Sequence, residues 1–206
     1  ATGRHAEAER YYRSLIQSDP SDVDLQNGYG HLWFSAGDYL RAETEYRTAL
    51  AKGPGSVKTT IFLARTLANS QRIDEAIEVL SDARNDGPES ANLLLPLVET
   101  MAAAGMHSDV LALCEEELTK TTSYLDRMRV LSEMGLAQMR LGRLHDAGET
   151  FRTVLREYDP LSPRATYGLW RVHRLSGNSF EAETILANFD RDVGDDLSRR
   201  MQLADL

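Results

Sequence analysis

The chain is poor in the residues that build most enzyme sites and most small secreted folds. One cysteine, Cys114, stands in 206 residues, so neither an internal disulfide framework nor a cysteine-based zinc cluster can form. The five histidines (His5, His31, His107, His145, His173) include no i, i+4 pair, which removes the HExxH kind of zinc site. The GxSxG and Ser-x-x-Lys signatures of nucleophilic enzymes are also missing. No apolar run approaches the roughly 18 residues that a membrane-crossing helix needs. Lysine is scarce as well: three (Lys52, Lys58, Lys120) against 20 arginines. Arginine favours planar, paired contacts, although a GC-rich coding sequence gives the same bias. The net charge of -9 argues against non-specific nucleic-acid binding, which needs cations to neutralise phosphates. The acidity is uneven, with net -8 over residues 1–127 and net -1 over 128–206.

What is present is a composition of 42% hydrophobic and 27% charged residues, ordinary for a folded chain, and a period. Small residues follow a turn-like glycine by five positions at Gly3/Ala8, Gly37/Ala42, Gly105/Val110, Gly142/Ala147 and Gly177/Ala182, and Gln71/Ala76 fills the remaining slot. The successive spacings are 34, 34, 34, 37 and 35, and Pro20, Pro54 and Pro88 are each 34 apart. A period of this length signals a stacked supersecondary unit. Within residues 23–56, Asp22 suits a helix cap, and Leu25, Gly30 and Trp33 belong to a first helix. Gly37-Asp38 makes a turn. Ala42, Tyr46 and Ala49 form one face of a second helix that Gly53-Pro54 ends. Gly30 and Ala42 are small where the two helices approach; Trp33 and Tyr46 fill the space beside them. One helix pair leaves a face uncovered, and the next pair covers it.

These residues resemble the tetratricopeptide repeat family. Residues 23–56 match its pattern with Tyr29, Gly30, Trp33, Ala42, Tyr46, Ala49 and Pro54. Residues 57–90 match with Leu63, Ala64, Leu67, Ala76, Leu80, Ala83 and Pro88. Residues 128–162 match with Leu131, Met134, Gly135, Ala147, Phe151 and Val154, Pro160 arriving one place late. The resemblance implies an all-α, right-handed superhelical solenoid of antiparallel helix pairs. It divides the chain into a partial repeat (1–22), repeats at 23–56 and 57–90, a degenerate repeat (91–127), a repeat at 128–162, a repeat-like pair (163–196) and a terminal capping helix (197–206). In the degenerate repeat Val110, Cys114 and Glu117 replace Ala, aromatic and Ala. Pro96 there should delay the first helix to about Asn92 or kink it, and three extra residues predict a longer second helix. Trp170 stands where glycine is usual, so the last pair is expected to be splayed or repacked. Both ends read as cut, which suggests a piece of a longer protein; the absence of a leader peptide at residue 1 is then uninformative.

The residues offer little chemistry. Gly53-Pro-Gly-Ser-Val-Lys58-Thr59 has some likeness to a phosphate loop, but Val57 occupies a glycine position and a helix precedes it; it reads as a helix stop. Cys114 reads as a small buried hydrophobe, and Glu115, Glu116 and Glu117 would disfavour its thiolate. That glutamate run is a solvated helix face, because three consecutive helical residues point in different directions. The segment reads as non-catalytic, with no cofactor and no metal.

The resemblance also implies that first helices line a concave groove taking a partner peptide or helix. The second, fifth, ninth, twelfth and thirteenth repeat positions supply the candidates Asn27, His31, Phe34, Arg65, Arg129, Leu136, Met139, Arg140, Arg164, Tyr167, Arg171 and Arg174. Five arginines with Tyr167, Leu136 and Met139 suit an acidic, amphipathic peptide; solvated arginines, or arginines paired with Asp and Glu of neighbouring helices, are the alternative. The family's clamp for chaperone C-termini would fall on Asn27, His31, Phe62, Asn92 and Pro96, of which only Asn27 is suitable, so chaperone-tail docking is not expected. Three functions remain open: a non-catalytic protein–protein interaction scaffold, a periplasmic scaffold of a bacterial exopolysaccharide export or secretion system, and the regulatory arm of a larger enzyme. In the second, groove aromatics would stack on sugar, and only Phe34 and Tyr167 qualify. The expected partner is a protein or peptide, with no nucleic acid and no membrane insertion. Self-association through the terminal helices is a further possibility. A lone thiol is compatible with either cytoplasm or periplasm.

Overall fold

A computed structural model describes residues 2–85, 90–194 and 196. Among them are eleven α-helices and no strand: α1 (Thr2–Ser18), α2 (Val23–Ser35), α3 (Tyr39–Lys52), α4 (Val57–Asn69), α5 (Ile73–Asn85), α6 (Leu94–Ala103), α7 (His107–Lys120), α8 (Tyr124–Arg140), α9 (Leu144–Thr153), α10 (Pro163–Leu175) and α11 (Ser179–Val193). A 3-10 turn, Ser90–Leu93, leads into α6, and a π-helical turn, Val154–Tyr158, continues α9. Pro88 and the segment 197–206, read above as a repeat end and a capping helix, lie outside the described residues.

The periodic turns have one structure. Gly37, Gly105, Gly142 and Gly177 take φ between 75° and 79°, and Gln71 takes φ 65° in the same slot. At each turn the residue after the slot donates its N–H five residues back: Asp38 to Trp33, Arg72 to Leu67, Met106 to Met101, Arg143 to Gln138 and Asn178 to His173, all at 2.9–3.0 Å. This closes the helix C-terminus with a left-handed residue and satisfies its orphaned carbonyls. The expected turn at Gly3 is not seen, because Gly3 lies in the first turn of α1. First helices also begin alike: Asp22, Ser56, Ser123 and Ser162 accept from the N–H of Leu25, Thr59, Asp126 and Ala165, each cap contributing about 1 kcal/mol. Ser56 therefore gives the Gly53–Thr59 loop its structural role.

Contacts divide the chain into two units, residues 1–100 and 101–206. In the first, α1, α2, α3, α4 and α5 pack in sequence. Gly30 lets α3 approach, since a Cβ there would meet the Tyr46 ring at 2.7 Å, and Tyr46, Ala42 and Ala49 are fully buried. Trp33 lies among His5 (5.0 Å), Tyr29 (5.8 Å) and the Arg41 guanidinium (4.4 Å). Arg72 ties α3 to α5 by reaching Glu43 (2.5 Å) and Glu75 (2.6 Å), with Arg47 on the other Glu43 oxygen at 2.9 Å. Burial alone would raise the Glu43 carboxyl; hydrogen bonds from Arg72 and Arg47 outweigh it and hold the group below its ordinary value.

In the second unit α7, α8, α9, α10 and α11 pack in sequence, and α8 also touches α10. Its core gathers Leu131, Met139, Ala147, Phe151, Val154, Ala165, Leu169 and Val172. The Phe151 ring is held between Gly135 of α8 and Gly168 of α10, where any Cβ would overlap it. Gly168, two residues before the expected position, thus supplies the close approach. Trp170 is instead half-buried and stacked on Tyr167, with ring centroids 5.3 Å apart. The expected longer second helix is not found: α7 has 14 residues, as α3 does, whereas α8 has 17 against 13 in α2, α4 and α10. The extra residues went into a first helix. Pro96 sits in the first turn of α6, where its missing N–H has no helical partner to lose; the helix starts two residues later than expected. Cys114 is buried, and burial, followed by Glu133, Glu117 and Glu115, pushes its thiol up to about 12.

Candidate partner-binding surfaces

In the first unit the candidates sort by their angle around α2 and α4. Asn27 is buried between these helices, donating to Thr59 Oγ1 at 2.9 Å, so it joins repeats rather than facing a partner. One turn later His31 is half-buried and borders a solvent-open pocket of about 230 Å³ with Phe34, Tyr46, Phe62 and Arg65. The His31 ring meets Phe62 edge-on at 4.2 Å and Tyr46 at 5.9 Å. The Arg65 guanidinium lies 5.9 Å over Phe34. Burial, then the charges of Arg65 and Lys58, lower the pKa of His31, so the imidazole is neutral near pH 7. Burial pushes the Tyr46 phenol up to about 12. Lys58 is engaged by Asp24 at 2.7 Å, two residues 34 apart that hold the same place in successive repeats.

In the second unit Met139 is 5% exposed and part of the core, a correction to its reading as a groove residue; Leu136 is half-buried against the same core. The arginines divide. Arg164 bonds Glu133 of α8 at 2.5 Å, the neighbouring-helix pairing given as the alternative; Arg129 lies 3.7 Å from Asp126 of its own helix and is largely solvent-exposed. Arg140 and Arg174 are exposed and Arg171 is half-buried. Arg171 lies over Tyr167 at 5.6 Å and Arg174 over Trp170 at 5.9 Å. Neither has a carboxylate partner among the described residues.

Sequence reasoning missed Tyr46, Phe62 and Trp170, which it assigned to core, clamp or helix packing. A signal existed for two of them. Phe62 holds the register position of Gly168, and Trp170 the position of Gly30; an aromatic in a glycine slot has to go somewhere else.

Models of the tetratricopeptide repeat match residues 33–94, and residues 1–57 and 132–188. The chain belongs to the tetratricopeptide repeat family. No curated protein matches it. Among solved structures, yeast Tom70 is similar with TM-score 0.69 and 18% identity over 97% of this chain and 42% of that one. PilW, a type IV pilus biogenesis factor, gives TM-score 0.67 and 17% identity over 97% and 90%. YrrB, a tetratricopeptide repeat protein with an unusual peptide-binding site, gives 0.54 and 18% over 95% and 98%. At these identities the likeness is one of fold. Tetratricopeptide repeats serve in general as protein–protein interaction scaffolds and are typically non-catalytic. Among the described residues, no helix of this repeat protein is long and apolar enough to cross a membrane.

Proposed function

We propose that this tetratricopeptide repeat protein is a scaffold whose second unit takes an acidic, amphipathic protein segment along the exposed side of α10 and α8. The observation that carries the reading is the pair of arginines on α10. Arg171 and Arg174 rest on aromatic faces instead of carboxylates, so their N–H forks are free to meet carboxylates of a partner. Tyr167 and Trp170 supply apolar surface beneath them, and aromatic and arginine side chains are the usual anchors of interfaces. Two further facts agree. Residues 128–206 carry net charge -1 in a chain of net -9, so an acidic partner meets its least repulsion there. The fold is one in which first helices carry such surfaces.

The test is the affinity of a fluorescent helical peptide carrying Glu and Leu on successive turns. Arg171→Glu with Arg174→Glu should weaken binding at least tenfold, about 1.4 kcal/mol, with an unchanged urea midpoint showing that the fold is kept. Unchanged affinity would sink the proposal. Arg164 is a poor choice for this test, because its replacement breaks the ion pair with Glu133 of α8.

A further inference from the structure

We infer that the pocket of the first unit receives one aromatic side chain of a partner peptide, with a carboxylate next to it pairing with Arg65. The pocket is formed by His31, Phe34, Tyr46, Phe62 and Arg65. Its enclosed space is only about 50 Å³, far below the roughly 300–1,000 Å³ of small-molecule sites, so it is a shallow notch that takes the edge of one ring and no whole small molecule. Its walls are rings that already meet edge to face: His31 is inclined 85° to Phe34, 86° to Tyr46 and 70° to Phe62. Aromatic pairs prefer offset or edge-on contact, so a further ring extends this arrangement where an aliphatic chain gains only burial. The rim supplies the charge. Arg65 is exposed and lies over Phe34 without a carboxylate partner among the described residues. The nearby Lys58 is already engaged by Asp24.

The origin of the pocket is visible in the register. In the second unit Gly168 allows Phe151 to sink fully between two helices. At the corresponding place in α4, Phe62 stands against Tyr46, ring centroids 5.5 Å apart, and the His31 and Arg65 side chains border the space. This inference shares no residue with the surface on α10 and stands without it.

The probe is acetyl-Asp-Phe-amide, titrated into the full chain by two-dimensional NMR, with acetyl-Asn-Phe-amide and acetyl-Asp-Ala-amide as comparisons. The first should give saturable ring-current shifts at residues 31, 34, 62 and 65, and each comparison peptide should bind at least tenfold more weakly. Arg65→Glu should abolish the saturable shifts, and Arg65→Gln, which keeps much of the side-chain stem, should weaken binding as the Asn peptide does. Arg191→Glu, at an exposed arginine of α11 that belongs to neither surface, should change nothing. Absence of saturable shifts at these residues, or equal affinity for the alanine peptide, overturns the inference. Shifts confined to Tyr167 and Trp170 also overturn it, while leaving the α10 surface standing.

Discussion

Gln71 holds a left-handed backbone, φ 65°, in a turn that uses glycine at Gly37, Gly105, Gly142 and Gly177. An L side chain at such a position costs about 1–2 kcal/mol, offset in part because glycine loses more entropy on folding. Gln71→Gly should therefore stabilise the chain by about 0.5–1 kcal/mol, read as a higher urea midpoint. The reverse holds at Gly168, where a methyl group collides with the buried Phe151 ring and Gly135 closes the other side. Gly168→Ala should cost about 1–3 kcal/mol, the usual penalty of overpacking, in the same measurement. Acid acts through His31. Its folded pKa lies below the ordinary 6.5, so the unfolded chain takes up the proton first and stability falls as pH drops through about 6.5. Glu43, held low by its arginines, adds its loss only at lower pH, as its carboxylate is protonated. The urea midpoint should fall between about pH 7.5 and about pH 5.5, and His31→Gln should shrink that fall; an undiminished fall in the variant contradicts the assignment. The sequence made His31 a candidate but also Asn27 and Met139. These two hold the fifth and twelfth repeat positions, but so do Tyr167 and Phe34, which stay at the surface; repeat position alone does not say which side chain the neighbouring helix covers.

Among the elements, two insertions explain each other. The spacing of 37 between Gly105 and Gly142 contains three extra residues, and the spacing of 35 from Gly142 to Gly177 contains one. The three extend α8 at its start; the one is taken up after α9 by the π turn, where Asp159 donates to the Val154 carbonyl, the wider closure expected of a single inserted residue. The extension then packs on the π turn. Tyr124 and Tyr158 rings lie 4.9 Å apart, the Tyr124 hydroxyl donates to the carbonyls of Glu157 and Tyr158, and Arg127 Nε donates to the Tyr158 hydroxyl at 3.2 Å. Arg127 also closes α7 by donating to Leu118 and Thr121 carbonyls. Tyr124→Phe should cost about 0.5–1.5 kcal/mol and speed amide exchange at residues 154–159, with little change in α2 to α5. Uniform exchange would contradict a local role. The number of extra residues was legible in the spacings. Their placement was not, because a 3.6-residue period continues equally well into either neighbouring helix, and only the tyrosine pair decides it.

At the largest scale, the period carried the architecture: within each unit a helix pair buries its open face against the next, so stability is summed over neighbours and small residues recur at close approaches. Partner chemistry was less legible, because an arginine's partner is set by side chains from another helix. Glu133 claims Arg164, and nothing in the spacing announces it. Arg171 and Arg174 remain as the electrostatic half of the α10 surface, so binding of an acidic segment should weaken steeply as salt shortens the range of exposed charges. The most direct measurement is site-specific photocrosslinking of the acidic Glu/Leu peptide. Tyr167→p-benzoylphenylalanine places the reactive group on α10, and Phe180→p-benzoylphenylalanine places it on α11, where Phe180 is 79% exposed. Salt-sensitive adducts at position 167 with none at 180 are expected. Adducts at 180 with none at 167 would contradict the assignment of the working surface to the first helices.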